Sequence, residues 1–180
     1  SRYKNIKGEQ KIMLSTQFEA LDARRCFPCV DEPAAKASFK CTLVCKSGLQ
    51  ALSNMPVERQ SQEKNGELTR FEFMTTPVMS TYLLAFCVGE FDFVAATTKH
   101  GVSIRVFTPP GRSEQGRFAL DVAVRTLDLY DDFFGIPYPL PKLDMIAIME
   151  FAAGAMENWG LVTYVINISN ITRTSTLQHQ

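Results

Sequence analysis

Short apolar runs separated by clusters of Pro, Gly, Asn and Asp fill the first hundred residues, the texture of strands joined by turns. Strands are predicted at 11–14, Phe39–Val44, Leu68–Phe73, Thr81–Val88 and Val102–Phe107. Leu68–Phe73 alternates in part, which suits a half-exposed strand, whereas Tyr82–Val88 is continuously apolar and suits burial on both faces. Asn65-Gly66, in a polar stretch, is the strongest hairpin signal. At Thr108-Pro109-Pro110-Gly111 the strand periodicity ends. Ala119, Ala123, Leu127, Tyr130 and Phe134 then recur at helical spacing, broadened by Phe118, Val122, Leu129 and Phe133. An amphipathic helix is predicted over 114–134, with Ser113 as N-cap and Gly135 as its stop. Leu143–Met149 reads as a strand whose only charge is Asp144. The fold class is therefore mainly β, with a β-sandwich or saddle-like domain over 1–108 and a second unit beginning at 109.

Composition removes several classes of function. Lys+Arg 19 balances Asp+Glu 19, which leaves none of the positive charge that nucleic acid or an anionic membrane surface attracts. No apolar run approaches a bilayer span. Ser1-Arg2-Tyr3-Lys4 has neither an initiator Met nor an apolar leader, so a fragment or processed end is expected. Five cysteines, an odd number without a secretion signal, point to reduced thiols and a cytoplasmic location. Cys26-x-x-Cys29 with Cys41-x-x-x-Cys45 could be drawn as a zinc site. The favoured alternative puts Cys41 and Cys45 on one strand face with Phe39 and Leu43, as small buried residues. Cys26 and Cys29 could also form a redox pair, but no helix pattern follows to activate a thiol. Asn167-x-Ser169 and Asn170-x-Thr172 fit glycosylation sequons, and without a secretion signal they are taken as coincidence. His100 and His179 stand too far apart to share a metal.

Candidate chemistry lies in Gly154-Ala155-Met156-Glu157-Asn158-Trp159-Gly160. Small residues let a backbone approach a ligand, Glu157 brings fixed negative charge, and Asn158 carries both a donor and an acceptor. That combination suits an extended peptide with a free amine, although the string alone equally fits a surface loop before a strand.

Residues 154–160 resemble the GAMEN signature of the gluzincin zinc aminopeptidases. Thr16-Gln17-Phe18-Glu19-Ala20, then Pro28-Cys29-x-Asp31-Glu32-Pro33, then Thr76–Leu83 resemble the same family in the same order. The resemblance covers residues 3 to 164 and implies a β domain followed by the incomplete start of a thermolysin-like α/β catalytic domain over 109–164. It implies that Glu19 and Glu157 bind the substrate's α-ammonium. Gln17 would line the pocket, and Gly154, Ala155, Met156, Glu157 and Asn158 would hold the peptide backbone. Two carboxylates of this kind accept a free N-terminus and reject a blocked one.

Two departures qualify it. The family's Trp in the Cys-Trp-Asp-Glu-Pro segment is Val30 here, a lost packing group. Residues 165–180 do not look like the family's continuation and are read as a divergent tail. Zinc is the family's cofactor, but its H-E-x-x-H motif is absent from the chain, so no catalytic or metal-binding residue is assigned. The expectation is an aminopeptidase by descent, catalytically incomplete on its own, with a peptide N-terminus as partner. The alternative is a non-enzymatic β interaction module that associates with a full-length aminopeptidase. In either case the helix 114–134 should lack most of its covering partners and expose apolar surface.

Overall fold

The computed structural model describes residues 1–149 and 154–165. A ribbon of β1 (Arg2–Lys4) and β2 (Gln10–Ile12) opens the chain. Two three-stranded antiparallel sheets follow. One has β8 (Phe86–Gly89) between β3 (Leu14–Ser15) and β5 (Gln50–Ser53); the other has β7 (Leu68–Phe73) between β4 (Thr42–Lys46) and β6 (Val57–Glu63). Asn65-Gly66 forms the turn between β6 and β7, with Lys64, Asn65 and Gly66 all at positive φ.

A five-stranded mixed sheet completes the structure. Its order is β12 (Ala155–Met156), β13 (Leu161–Val165), β11 (Lys142–Ile148), β10 (Ser103–Thr108) and β9 (Asp92–Thr97). β10 and β11 are parallel, and α1 (Arg117–Phe134) supplies the crossover such strands require. The sheet joins residues on both sides of the boundary expected after Thr108: β9 and β10 pair into the same sheet as β11 and β13.

Each face of this sheet has its own core. Phe107, Ile146, Ile148 and Leu161 pack with Met13, Leu52, Ala85 and Cys87 of the N-terminal part. On the other face Val94, Val102, Ile104 and Val106 pack against Leu120 of α1, with Ala119, Ala123, Val124 and Leu127 partly buried beside it. Phe71 and Phe73 of β7 join Ala51, with Cys41, Leu43 and Cys45 packed against them. Cys41 and Cys45 thus share a face with Leu43 as expected, half-buried, whereas Phe39 packs in a separate cluster with Phe18 and Phe27.

Several local expectations shift. β7 alternates between half-buried and buried positions as its pattern implied. The apolar run after Thr81 is divided: Thr81–Leu83 is a 3₁₀ turn and only Phe86–Gly89 is strand, although Leu83, Leu84, Ala85 and Cys87 are all buried. The strand expected from Phe39 starts at Thr42: Phe39 instead exchanges bonds with Thr76, accepting its N–H and donating to its hydroxyl, and Cys41 O accepts the Phe73 N–H. The α-helix begins at Arg117 after a 3₁₀ turn over Ser113–Gly116, and no side chain caps it. Gly116 lies where the helix start meets the sheet; a Cβ there would stand 2.9 Å from Val106 Cγ1.

The covered face of α1 keeps Ala119, Ala123 and Leu127 of the expected stripe, adds Leu120 and Val124, and leaves Tyr130 and Phe134 at its C-terminal end exposed. Phe118, Phe133 and Phe134 consequently face outward, Phe118 being 80% exposed. Val30 is 65% exposed, so the site of the missing aromatic makes no demand on the core.

Candidate functional site

β3 is short, and the chain leaves it into Thr16-Gln17-Phe18-Glu19. Thr16 fixes this exit by donating its backbone N–H to Phe86 O at 3.1 Å and accepting the Phe86 N–H on its hydroxyl at 3.0 Å. Phe18 turns inward and Glu19 outward into solvent. Gln17 Oε1 is buried without a hydrogen-bond partner among the described residues. The Glu19–Ala20 peptide bond is cis.

Ala155-Met156 forms the edge strand β12 of the mixed sheet, paired antiparallel with Tyr164 and Thr163. Val165 donates its N–H to Gly154 O. Met156 is buried, whereas Gly154, Ala155 and Glu157 are exposed. Phe18 and Met156 belong to one hydrophobic cluster with Ala23, Met79, Leu83 and Leu84. The two segments singled out by sequence, about 140 positions apart in the chain, are therefore anchored in the same small core. Asn158 is buried and closes the following turn, donating Nδ2–H to Leu161 O at 3.2 Å.

The middle motifs hold this core from below. Asp31 is buried and accepts hydrogen bonds from the Thr81 hydroxyl (2.5 Å) and the Arg24 backbone N–H (3.1 Å); the Arg24 guanidinium donates to the Asp31 carbonyl (2.8 Å). The Thr81 hydroxyl, then the Arg24 contacts, hold the Asp31 carboxyl below its ordinary range despite burial, because they stabilise the ionised form. Ser80 donates to Pro33 O at 2.6 Å, so the 24–33 and 80–83 segments clasp each other.

A buried charge network lies behind the turn at 158–160. β11 alternates strictly, placing Lys142 and Asp144 on the same buried face as Ile146 and Ile148. Parallel register puts Arg105 beside Asp144, and the guanidinium donates from Nε and Nη2 to the two carboxylate oxygens, both at 2.7 Å. Lys142 Nζ lies 2.7 Å from Asp144 Oδ2 and donates to Ser53 O (2.6 Å) and Gly160 O (2.7 Å). Burial lowers the Lys142 ammonium to about 8, and the Asp144 carboxylate acts against that fall. Next to Ser53, Asn54 donates Nδ2–H to Leu83 O and Trp159 O and accepts the Ala85 N–H. Sequence reasoning misses Asn54, Arg105 and Lys142. The one available signal is a Lys and an Asp at i, i+2 on the core face of an apolar strand.

Zinc does not fit the residues present. Among the described residues no group of three or more His, Cys, Asp or Glu side chains could hold a metal ion, and Cys26, Cys29, Cys41 and Cys45 do not form one. All five cysteines are free. No step of a reaction is therefore assigned to a metal here.

Comparison with known proteins places this arrangement. Residues 1–83 match the peptidase M1 N-terminal domain, and residues 118–178 match the peptidase family M1 domain. The chain belongs to peptidase family M1. The second match runs through residue 178, into the segment read as divergent, which lies almost wholly outside the described residues. Aminopeptidase M1-B of Oryza sativa subsp. japonica is 58% identical over 164 residues, 91% of this chain and 18% of its own length. Puromycin-sensitive aminopeptidase of Caenorhabditis elegans is 51% identical over 164 residues, covering 91% of this chain and 17% of its own. Alanine/arginine aminopeptidase of Saccharomyces cerevisiae is 51% identical over 159 residues, 88% and 18% respectively. The chain thus spans under a fifth of the length of these M1 relatives. Its mainly β N-terminal part, followed by the helix-bearing start of the catalytic domain, is the architecture these matches assign. No helix among the described residues is long and apolar enough to cross a membrane.

Proposed function

We propose that this chain is the amine-recognising part of an aminopeptidase, an M1 enzyme that removes residues from peptides with a free N-terminus. One observation carries the reading: Phe18 and Met156 share a buried cluster, which ties Gln17 and Glu19 to Glu157 around one apolar floor. Glu19 and Glu157 are exposed carboxylates, each the chain neighbour of a residue in that floor, and suit N–H bonds from an α-ammonium. Gln17 Oε1, a buried acceptor without a partner among the described residues, could take a third. The outer side of edge strand β12 suits an extended peptide backbone, with Gly154, Ala155, Met156 and Asn158 shaping the strand and turn. The GAMEN resemblance of residues 154–158 supports the same roles. Zinc would have to be held by residues outside those described. A cytoplasmic location suits five free thiols.

The chain's single tryptophan, Trp159, is 40% exposed beside Glu157 and reports binding directly. Titrating an alanyl tripeptide and its N-acetyl analogue should show the free amine binding at least about tenfold tighter. Glu19→Gln and Glu157→Gln should each weaken the free peptide and leave the acetylated one unchanged. Equal affinity for both peptides would refute the assignment.

A further inference from the structure

We propose that Lys142 is a positioning residue for peptide binding: its ammonium, together with Asn54, clamps the turn after residues 154–158 to the N-terminal sheet that carries Gln17 and Glu19. The inference rests on the amine-binding reading of those residues.

The clamp has two adjacent points on each side. Gly160 O is held by Lys142, which also holds Ser53 O, and Trp159 O is held by Asn54, the next residue after Ser53. Two consecutive carbonyls tied to two consecutive residues fix rotation as well as distance. From there the connection is rigid: β5 pairs with β8, β8 pairs with β3, and β3 ends two positions before Gln17. On the other side the turn leads straight back to Asn158 and Glu157. The relative placement of Glu19 and Glu157 is therefore set through this clamp and the Phe18–Met156 contact.

Only a long cation does this. Ser53 and Gly160 both present carbonyl oxygens to each other, and two acceptors cannot bond without a donor between them. A methionine would fill the space but remove the ammonium that bridges the two carbonyls: Ser53 O would lose that donor, and Gly160 O would keep only the Asp144 backbone N–H (2.9 Å), which ties the turn to β11 and not to the N-terminal sheet. The ammonium in turn needs a buried anion, which Asp144 supplies, and Arg105 takes the remaining capacity of that carboxylate. Lys142 itself is buried, so its influence on a peptide passes through the backbone it holds.

The test uses the full chain and three variants, each assayed well below its melting temperature. Lys142→Met and Asn54→Ala remove one point of the clamp each; Leu120→Ala loses stability in the helix-facing core, away from it. Affinity for the free-amine tripeptide should fall on the order of tenfold in both clamp variants, with greater acrylamide quenching of Trp159. Leu120→Ala should melt lower and keep wild-type affinity and quenching, which separates positioning from stability. If Lys142→Met does not fold, Asn54→Ala carries the comparison. Wild-type affinity and quenching in a folded clamp variant would overturn the proposal. If the wild-type chain does not distinguish free from acetylated peptide, the amine-binding reading fails; increased Trp159 quenching in the variants would then still support the clamp, and unchanged quenching would overturn it.

Discussion

Gly160→Ala is the sharpest probe of how the turn at 158–160 sits on the N-terminal sheet. Gly160 adopts φ +73°, and a Cβ built there would lie 2.2 Å from the backbone oxygen of Asn54 and 3.2 Å from Leu140 Cδ1. A backbone carbonyl cannot swing aside as a side chain can, so the turn itself must move. The left-handed conformation alone costs an alanine about 1 kcal/mol. Forcing a methyl into a filled contact adds about 1–3 kcal/mol. Displacing Gly160 also strains the Lys142 bond to its carbonyl, worth about 1 kcal/mol. The total is about 3–5 kcal/mol, a fall in Tm of roughly 6–20 °C for a chain of this size.

Gly48→Ala isolates the conformational part. Gly48 has φ +91°, and a Cβ added there would meet nothing within 4 Å, so only the cost of about 1 kcal/mol should remain. Urea unfolding of both variants, followed by Trp159 fluorescence and far-ultraviolet circular dichroism, gives the difference directly. If Gly160→Ala destabilises no more than Gly48→Ala, the contact with Asn54 is absent and the turn does not pack on the N-terminal sheet in this way.

Acid should act through Asp31. Its carboxyl is held below the ordinary range in the folded chain, so the stability it confers is complete above the unfolded value and is lost as pH falls toward the lowered folded one. Asp31→Asn should be less stable at neutral pH and lose less on acidification; parallel denaturant curves at neutral and acid pH would check this, and identical pH slopes would count against the clasp with Thr81 and Arg24. Thiol reactivity should rank by burial. Cys26 is exposed, whereas burial pushes the Cys87 thiol up to about 12. Iodoacetamide at neutral pH should label Cys26 first and Cys87 only on unfolding, as peptide mass mapping would show; early labelling of Cys87 would contradict its place in the central core.

Local patterns carried much of the architecture. The Leu68–Phe73 alternation, the Asn65-Gly66 turn and the helix of Arg117–Phe134 all follow from periodicities and turn chemistry that a few neighbouring residues complete. Where the same patterns misled, a distant partner decided. β6, Val57–Glu63, is polar and largely exposed, so no apolar signal marks it; pairing with β7 makes it a strand. The covered face of α1 took in Leu120 and Val124 and left out Tyr130 and Phe134 because Val94, Ile104 and Val106 of the sheet, not the helix's own largest side chains, set which residues are covered. Phe118, Phe133 and Phe134 are more apolar than Ala123 or Val124 and yet lie outside.

The candidate site divides in the same way. Glu19 and Glu157 could be named from ordered motifs, since recognising a free amine calls for particular residue types at particular places in a string. The sequence by itself determined the strand and helix periodicities, the balanced charge and those motifs. Only the tertiary structure decided that Phe18 meets Met156, that Asn54 reaches Trp159 across 105 positions, and that Lys142 joins Ser53 to Gly160 beside the Arg105–Asp144 pair. The physical reason is the range of the forces. Backbone propensity and amphipathic period are properties of neighbouring residues, whereas a buried donor finds its acceptors only after sheet register and crossover have brought distant backbones together.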